Sequence, residues 1–221
     1  MGAMRKSRHR FICLFLLFCI VPLVGYAEPL SDELELPEIF NRLQRTADET
    51  HSLSSDFVQE KHLAIFAETL ISQGLFFYRQ PDHLRWELLS PVLSGFVLRG
   101  QKGERWNGLS KETEPFRIDR DPIMGIIAQQ LLAWAKVDID WLKSRYRIEL
   151  LSAQPVRLQL FPLDQGEAGF IDRLQILFAV DNSHVEQVEM HEVGGDRTLL
   201  RFENAQMNKP LPFKAFQAPE F

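Results

Sequence analysis

GLFFYRQPDHLRWELLSPVLSGFVLRGQKGERW, residues 74–106, is the stretch whose reading decides the fold. It is a succession of short apolar runs cut by turn residues, the pattern of a meander of strands. Residues 75–78 are the first run. It stops at Gln80-Pro81-Asp82, where proline removes a ladder donor and aspartate favours a turn. Leu84, Trp86 and Leu88 then alternate with Arg85 and Glu87, the period-two pattern of a strand with one wet face. Ser90-Pro91 breaks the chain again. Residues 96–98 form a third run, and Gly100 and Gly103 mark the turn before Trp106.

Outward from this core, the pattern stays mostly β. Upstream, residues 28–35 are polar and expected to be loose. Leu36, Ile39, Phe40, Leu43 and Ala47 then fall at the spacing of an amphipathic helix of about four turns, which would lie along one face of a sheet. Residues 53–62 follow as a strand with Phe57 and Gln59 on one face. Downstream, Asp121-Pro122 opens a helix: aspartate caps the free amides, and proline suits the first helical position, where no donor is needed. Its body, IMGIIAQQLLAWAKV over 123–137, is apolar over a wider arc than an ordinary surface helix, so something should cover its second side. Either it is sandwiched between two protein layers or it closes an apolar cavity. A short helical turn at 141–144 precedes alternating runs at 146–152, 156–161, 174–180, 185–193 and 197–202, separated by turns such as Asp181-Asn182-Ser183 and Gly194-Gly195-Asp196.

Nine or more strands, two helical insertions and no βαβ alternation argue for one antiparallel sheet. Such a sheet must curl or pair to hide its apolar face and edges, and a half-barrel closed by helices does both. Residues 1–10 carry four basic residues and no acid, residues 11–24 are almost wholly apolar, and Gly25-Tyr26-Ala27 supplies small residues at both positions a signal peptidase requires. Residues 1–27 are therefore expected to be a secretory signal, and residues 28–221 one domain. Removing four of the 25 Lys+Arg and none of the 30 Asp+Glu takes the net charge from −5 to −9. So acidic a chain disfavours nucleic acid and firm residence on anionic headgroups. Cys13 and Cys19 both lie in the signal, and neither has the small preceding residue of a lipid-attachment cysteine. The mature chain then has no disulfide and no thiolate chemistry, and must hold together by its core.

Catalysis would need a nucleophile, a metal cluster or a positioned acid–base pair. There is no G-x-S-x-G elbow, H-E-x-x-H, P-loop or dinucleotide fingerprint. His51, His62, His83, His184 and His191 show no metal-ligand spacing, and the acids are scattered over strand exteriors and turns. The residues point away from an enzyme and from any cofactor.

The glycine at 74, the apolar run after it, R-x-P at 79–81, L-R-W-E at 84–87, Pro91 and Gly100 resemble, in order and spacing, the periplasmic lipoprotein-carrier (LolA) family. The F-x-Q pair at Phe57 and Gln59, and Asn204, Asn208, Phe216 and Pro219 near the end, extend the resemblance over nearly the whole mature chain. It implies an open, strongly curved antiparallel half-barrel with a helical lid over its concave side. Acyl chains of a lipoprotein, or of another lipid cargo, would shelter between sheet and lid on the way from an inner-membrane donor to an outer-membrane acceptor. By this resemblance the cavity wall comprises Phe57, Phe76, Tyr78, Leu84 and Trp86 on the sheet, and Ile123, Ile127, Leu131 and Trp134 on one face of the helix. For each of these, a place in an ordinary solid core is the competing reading. The protein is expected to be a monomer in the periplasm, without cofactor or nucleic acid.

Two departures from the family pattern stand out. The arginine that holds the lid, expected just before Pro81, is replaced by Gln80, with Arg79 directed to the opposite face. The usual Asp-Gly turn is Arg99-Gly100, and the tryptophan after it is displaced to Trp106. They allow a divergent relative with another acylated cargo, such as a glycolipid or a polyene or fatty-acyl conjugate. Two other functions compete: a lipid- or lipoprotein-sensing regulator of the same fold, and a lipid hydrolase.

Overall fold

In a computed structural model, residues 32–221 are described, with side chains from Leu36 onward. The expected signal at 1–27, with both cysteines, lies outside the described residues. Helix α1 (Asp32–Asp48) leads into β1 (Ser52–His62), β2 (Thr69–Arg79), β3 (His83–Ser90), β4 (Ser94–Arg99), β5 (Lys102–Asn107) and β6 (Glu112–Arg117). Helices α2 (Pro122–Lys136) and α3 (Ile139–Arg145) follow. Then come β7 (Tyr146–Ala153), β8 (Val156–Pro162), the single turn α4 (Gln165–Ala168), β9 (Ile171–Phe178), β10 (Val185–Glu192) and β11 (Arg197–Met207). The 11 strands form one antiparallel sheet in the order β6-β5-β4-β3-β2-β1-β11-β10-β9-β8-β7, not closed into a barrel.

Alternation sets which side of the sheet is inside. Tyr78 lies opposite Leu84, and Leu84 opposite Leu98; Phe76 lies opposite Trp86, and Trp86 opposite Phe96. In the other half, Leu158, Leu160, Leu174 and Ile176 are buried in the same way, and both halves share one core with α1 and α2. The sheet curls to achieve this. Helix α1 contributes Ile39, Phe40, Leu43 and Ala47, all buried, on the face the periodicity predicts. Its backbone is helical from Asp32, so the stretch expected to be loose is partly its first turn.

Three strand readings need correction. Gly103 is not in the turn but inside β5; the turn glycine is Gly100, with φ of 65°. Strand β6 is absent from the sequence reading, because ETEPFR buries only Phe116 and is polar elsewhere. A proline is tolerated there because β6 is an edge strand. Third, the face of β3 expected to be wet is covered. Arg85 and Glu87 are 9% and 5% exposed and form a bidentate pair, Nε to Oε2 at 2.9 Å and Nη2 to Oε1 at 2.8 Å.

The C-terminal tail does the covering. Arg85 Nη1 donates to the Gln217 carbonyl at 2.7 Å and to that of Ala215 at 3.3 Å, and the guanidinium lies 5.0 Å from the Trp106 ring. Each guanidinium nitrogen thus has a partner, the condition under which a buried ion pair is tolerated. Trp106, displaced relative to the family pattern, is on this outer face and packs against that pair.

Candidate functional site

The floor of the candidate site is an aromatic cluster on the inner face. Phe57 stacks on Trp86 with ring centroids 3.8 Å apart and planes 18° from parallel. Phe76 meets Trp86 edge-on at 6.2 Å and Phe202 at 5.6 Å, and Phe202 is 6.4 Å from Phe57. Gly74 makes the stack possible. It is paired between Phe57 and Leu88, and a Cβ there would meet the Phe57 ring at 2.3 Å and the Glu87 carbonyl oxygen at 2.1 Å. The Phe57 ring therefore lies across β2, in the space a side chain would occupy, to reach Trp86. Gly103 does the same for Phe116, which a Cβ would meet at 2.2 Å.

Helix α2 closes over this floor. Asp121 accepts from the Met124 amide at 3.1 Å, Pro122 stands in the first turn, and Val137 ends the helix in the left-handed region at φ 48°. Met124, Ala128, Leu131 and Ala135 form the stripe seated inward, with Trp134 beside it. That corrects the face assigned from the sequence. Leu131 and Trp134 are buried, whereas Ile123 is 71% exposed and Ile127 41% exposed. The apolar arc is so wide that its inward direction cannot be read from periodicity, and the small Ala128 allows the close approach that sets it. Nor is α2 sandwiched between protein layers: Ile123 and Ile126 face outward and are largely exposed.

Polar contacts hold α2 at two places. Arg105 on β5 donates through Nη1 to Asp121 at 3.1 Å, and through Nε and Nη2 to Glu114 at 3.0 and 2.9 Å. The N-cap of the lid is thereby tied to the edge strands. Further along, the Tyr146 hydroxyl donates to Glu167 at 2.5 Å and lies 2.9 Å from the Gln130 side-chain amide, which with its Nε2 turned inward donates to the hydroxyl. Burial, and then the hydrogen bond to the Glu167 carboxylate, push the Tyr146 phenol far above its usual range. It stays a neutral donor at any physiological pH. Gln80 takes no part in holding the lid: its side chain bonds His51 at 3.1 Å.

Between the floor and the lid little space remains. A space of about 10 Å³ is lined by residues including Leu53, Phe76, Leu131, Trp134 and Phe202, scarcely room for one water. At the N-terminal end of α2 a cleft of about 550 Å³ opens, walled by Trp86, Leu88, Phe96, Met124 and Ile127 and rimmed by Arg105, Glu112 and Glu114. Its volume lies within the range of small-molecule sites, about 300–1,000 Å³.

Of the residues expected to line a cavity, Phe57, Phe76, Trp86, Leu131 and Trp134 meet around the floor and the underside of the lid, and Trp86 and Ile127 both face the cleft. Tyr78 and Leu84 are fully packed core further along the same strands. Burial, with help from Asp82, pushes the Tyr78 phenol up to about 12. Ile123 is not on the wall. Phe96, Phe202, Met124 and Arg105 were missed. Counting alternation across the Ser90-Pro91 break would have placed Phe96 beside Trp86; nothing local marks Arg105. Among the described residues no group of His, Cys, Asp and Glu is placed to hold a metal ion.

This geometry agrees with comparisons to known proteins. The family model described as outer membrane lipoprotein carrier protein LolA matches residues 48–219, and the chain belongs to that family. A search among curated proteins finds no match. Among solved structures, the chain resembles one in a complex of Pseudomonas aeruginosa MucA and MucB, with a TM-score of 0.52 and 17% identity over 84% of this chain. It spans only 61% of that chain's length. An uncharacterized conserved protein of Thermus thermophilus is similar with a TM-score of 0.52 and 11% identity, covering 84% of this chain and 95% of its own. At such identities the likeness is one of fold.

Proposed function

We propose that the protein is a non-enzymatic carrier that shelters acyl chains of lipoproteins, or of another acylated lipid, between the sheet and α2 during transport across the periplasm to the outer membrane. One observation carries the reading: α2 is apolar on both sides, and its uncovered side flanks an apolar cleft leading toward the aromatic floor. A solid core has no use for Ile123, Ile126 and Ile127 at such a place. The lid as it stands is closed, with its underside packed, so loading requires α2 to lift. Of the two latches that oppose lifting, the Arg105 ion pairs are solvent-accessible and cost little to break, and the Tyr146 contact to Gln130 is a single buried hydrogen bond. Each CH₂ buried contributes about 0.8 kcal/mol, so a chain entering from water offsets it readily. The Trp134 indole N–H, buried with no acceptor among the described residues, is a donor for the carbonyl at the head of such a chain.

The test is extraction of the purified mature protein, with mass spectrometry of what it holds, and displacement of an apolar fluorescent probe by a triacylated lipopeptide. Protein that is lipid-free and binds no probe overturns the reading. The likeness to MucB, solved with MucA, favours a second reading, a lipid-responsive regulator that binds a partner protein. Capture of a signalling protein in place of transport components would put that reading first.

A further inference from the structure

Basic residues stand in register across five strands at one end of the sheet. Arg79 ends β2, His83 begins β3, Arg99 ends β4, Lys102 begins β5 and Arg117 ends β6. The ladder sets them directly opposite one another in turn, Arg79 with His83, His83 with Arg99, Arg99 with Lys102 and Lys102 with Arg117. Opposed residues share a face, and their strand neighbours Tyr78, Leu84, Leu98 and Phe116 are buried inside, so the row lies on the outer face. At the usual strand spacing it is about 19 Å long. Arg99, Lys102 and Arg117 set like charges directly opposite one another, which destabilises a sheet, so fold stability does not account for that part of the row. Carboxylates answer only part of it: Asp82 is 3.2 Å from His83, Glu104 2.7 Å from Arg99 and Asp119 2.8 Å from Arg117. Arg79 and Lys102 make no ion pair with a described residue.

The C-terminal tail extends this surface. A hollow of about 660 Å³ is lined by Arg79, His83 and Arg99 of the row together with Lys209, and by no carboxylate, in a chain whose net charge is −5. On its rim Phe213 is 93% exposed, between Lys209 and Lys214. We propose that this end of the sheet is a docking surface for an anionic lipid bilayer, with phosphate headgroups along the cationic row and in the hollow, and Phe213 in the interface. A planar partner suits a row of strand ends along the turn rim better than a peptide does. A lone protruding aromatic flanked by lysines is the pattern of an interfacial anchor, not of a side chain entering a groove. At physiological salt, charges farther than about 8 Å are screened, so the local surface governs contact despite the acidic whole. The docking is weak and reversible, and independent of what the inner cleft holds.

The test is flotation of the mature chain with vesicles of phosphatidylcholine alone or with about one-third phosphatidylglycerol, across roughly 50–300 mM salt. Binding should require phosphatidylglycerol and fall with salt. The variant Arg79→Gln/Lys102→Gln/Lys209→Gln should lose roughly a hundredfold in partitioning. Phe213→Ser should lose about tenfold. A matched triple on the far half of the sheet, Arg147→Gln/Arg157→Gln/Arg173→Gln, should bind as the parent does, with melting curves confirming that every variant is folded. Equal binding to neutral vesicles, no binding to either, or equal loss in both triples would overturn the proposal. So would release by inorganic phosphate at constant ionic strength, which would make the hollow a site for free anions.

Discussion

Two neighbouring lid positions separate a site from a core. Ile127 keeps about two-fifths of its surface exposed at the cleft, while Leu131, one turn on, is 6% exposed against the sheet. Ile127→Asp forfeits the part of the side chain already buried, about 1–2 kcal/mol, and the carboxylate stays in water. Leu131→Asp forces a charge between α2 and the aromatic floor and should leave the domain unfolded; even Leu131→Ala should cost about 2–5 kcal/mol. For ligand the order inverts. A chain in the cleft would cover the rest of Ile127, so Ile127→Asp loses that burial and must desolvate a carboxylate, together about 2–4 kcal/mol, or roughly thirtyfold to a thousandfold in affinity. Thermal melting and displacement of an apolar probe on the same samples report both quantities. Ile127→Asp should melt within a few degrees of the parent and bind the probe far more weakly. Parental affinity in that variant would refute the assignment of the cleft, and unfolding would refute the exposed setting of Ile127.

Three further outcomes follow from the packing and the latches. Gly74→Ala should destabilise by about 1–3 kcal/mol, read by chemical denaturation, because its Cβ collides with the Phe57 ring and a carbonyl. Arg105→Gln should cost below about 1 kcal/mol of stability, since the ion pairs are largely exposed, yet speed probe exchange up to about fivefold in stopped flow by freeing the lid's N-cap. Burial depresses the His184 pKa beneath the lid, partly offset by Asp181, so the unfolded chain binds this proton more readily. Stability should therefore fall as pH drops through and below about 6.5, and His184→Gln should flatten that part of the profile.

How far the sequence could be read depended on how one-sided each segment is. Strands with one apolar face announced themselves, and the Asp121-Pro122 cap placed the start of α2 correctly. Strand β6 did not, because an edge strand wet on both faces has no alternation beyond Phe116. The inner face of α2 was misassigned for the opposite reason: with apolar residues all round, the sequence holds no direction, and contact with the floor decides it. Arg85 and Glu87 looked like a wet face because the tail that covers them comes 130 residues later. The cationic row is invisible locally, since its members become neighbours only through strand register.

The central claim is that acyl chains occupy the space between the aromatic floor and α2, and the four tryptophans allow a contact-range test of it. Trp86 and Trp134 line that space; Trp106 borders the cleft, but its ring is turned to the outer face against Arg85. An acyl chain brominated along its length should quench the fluorescence of the parent protein. That quenching should persist in Trp106→Phe and vanish in Trp86→Phe/Trp134→Phe. Quenching that survives the double substitution, or no quenching at a saturating chain concentration, would contradict the account.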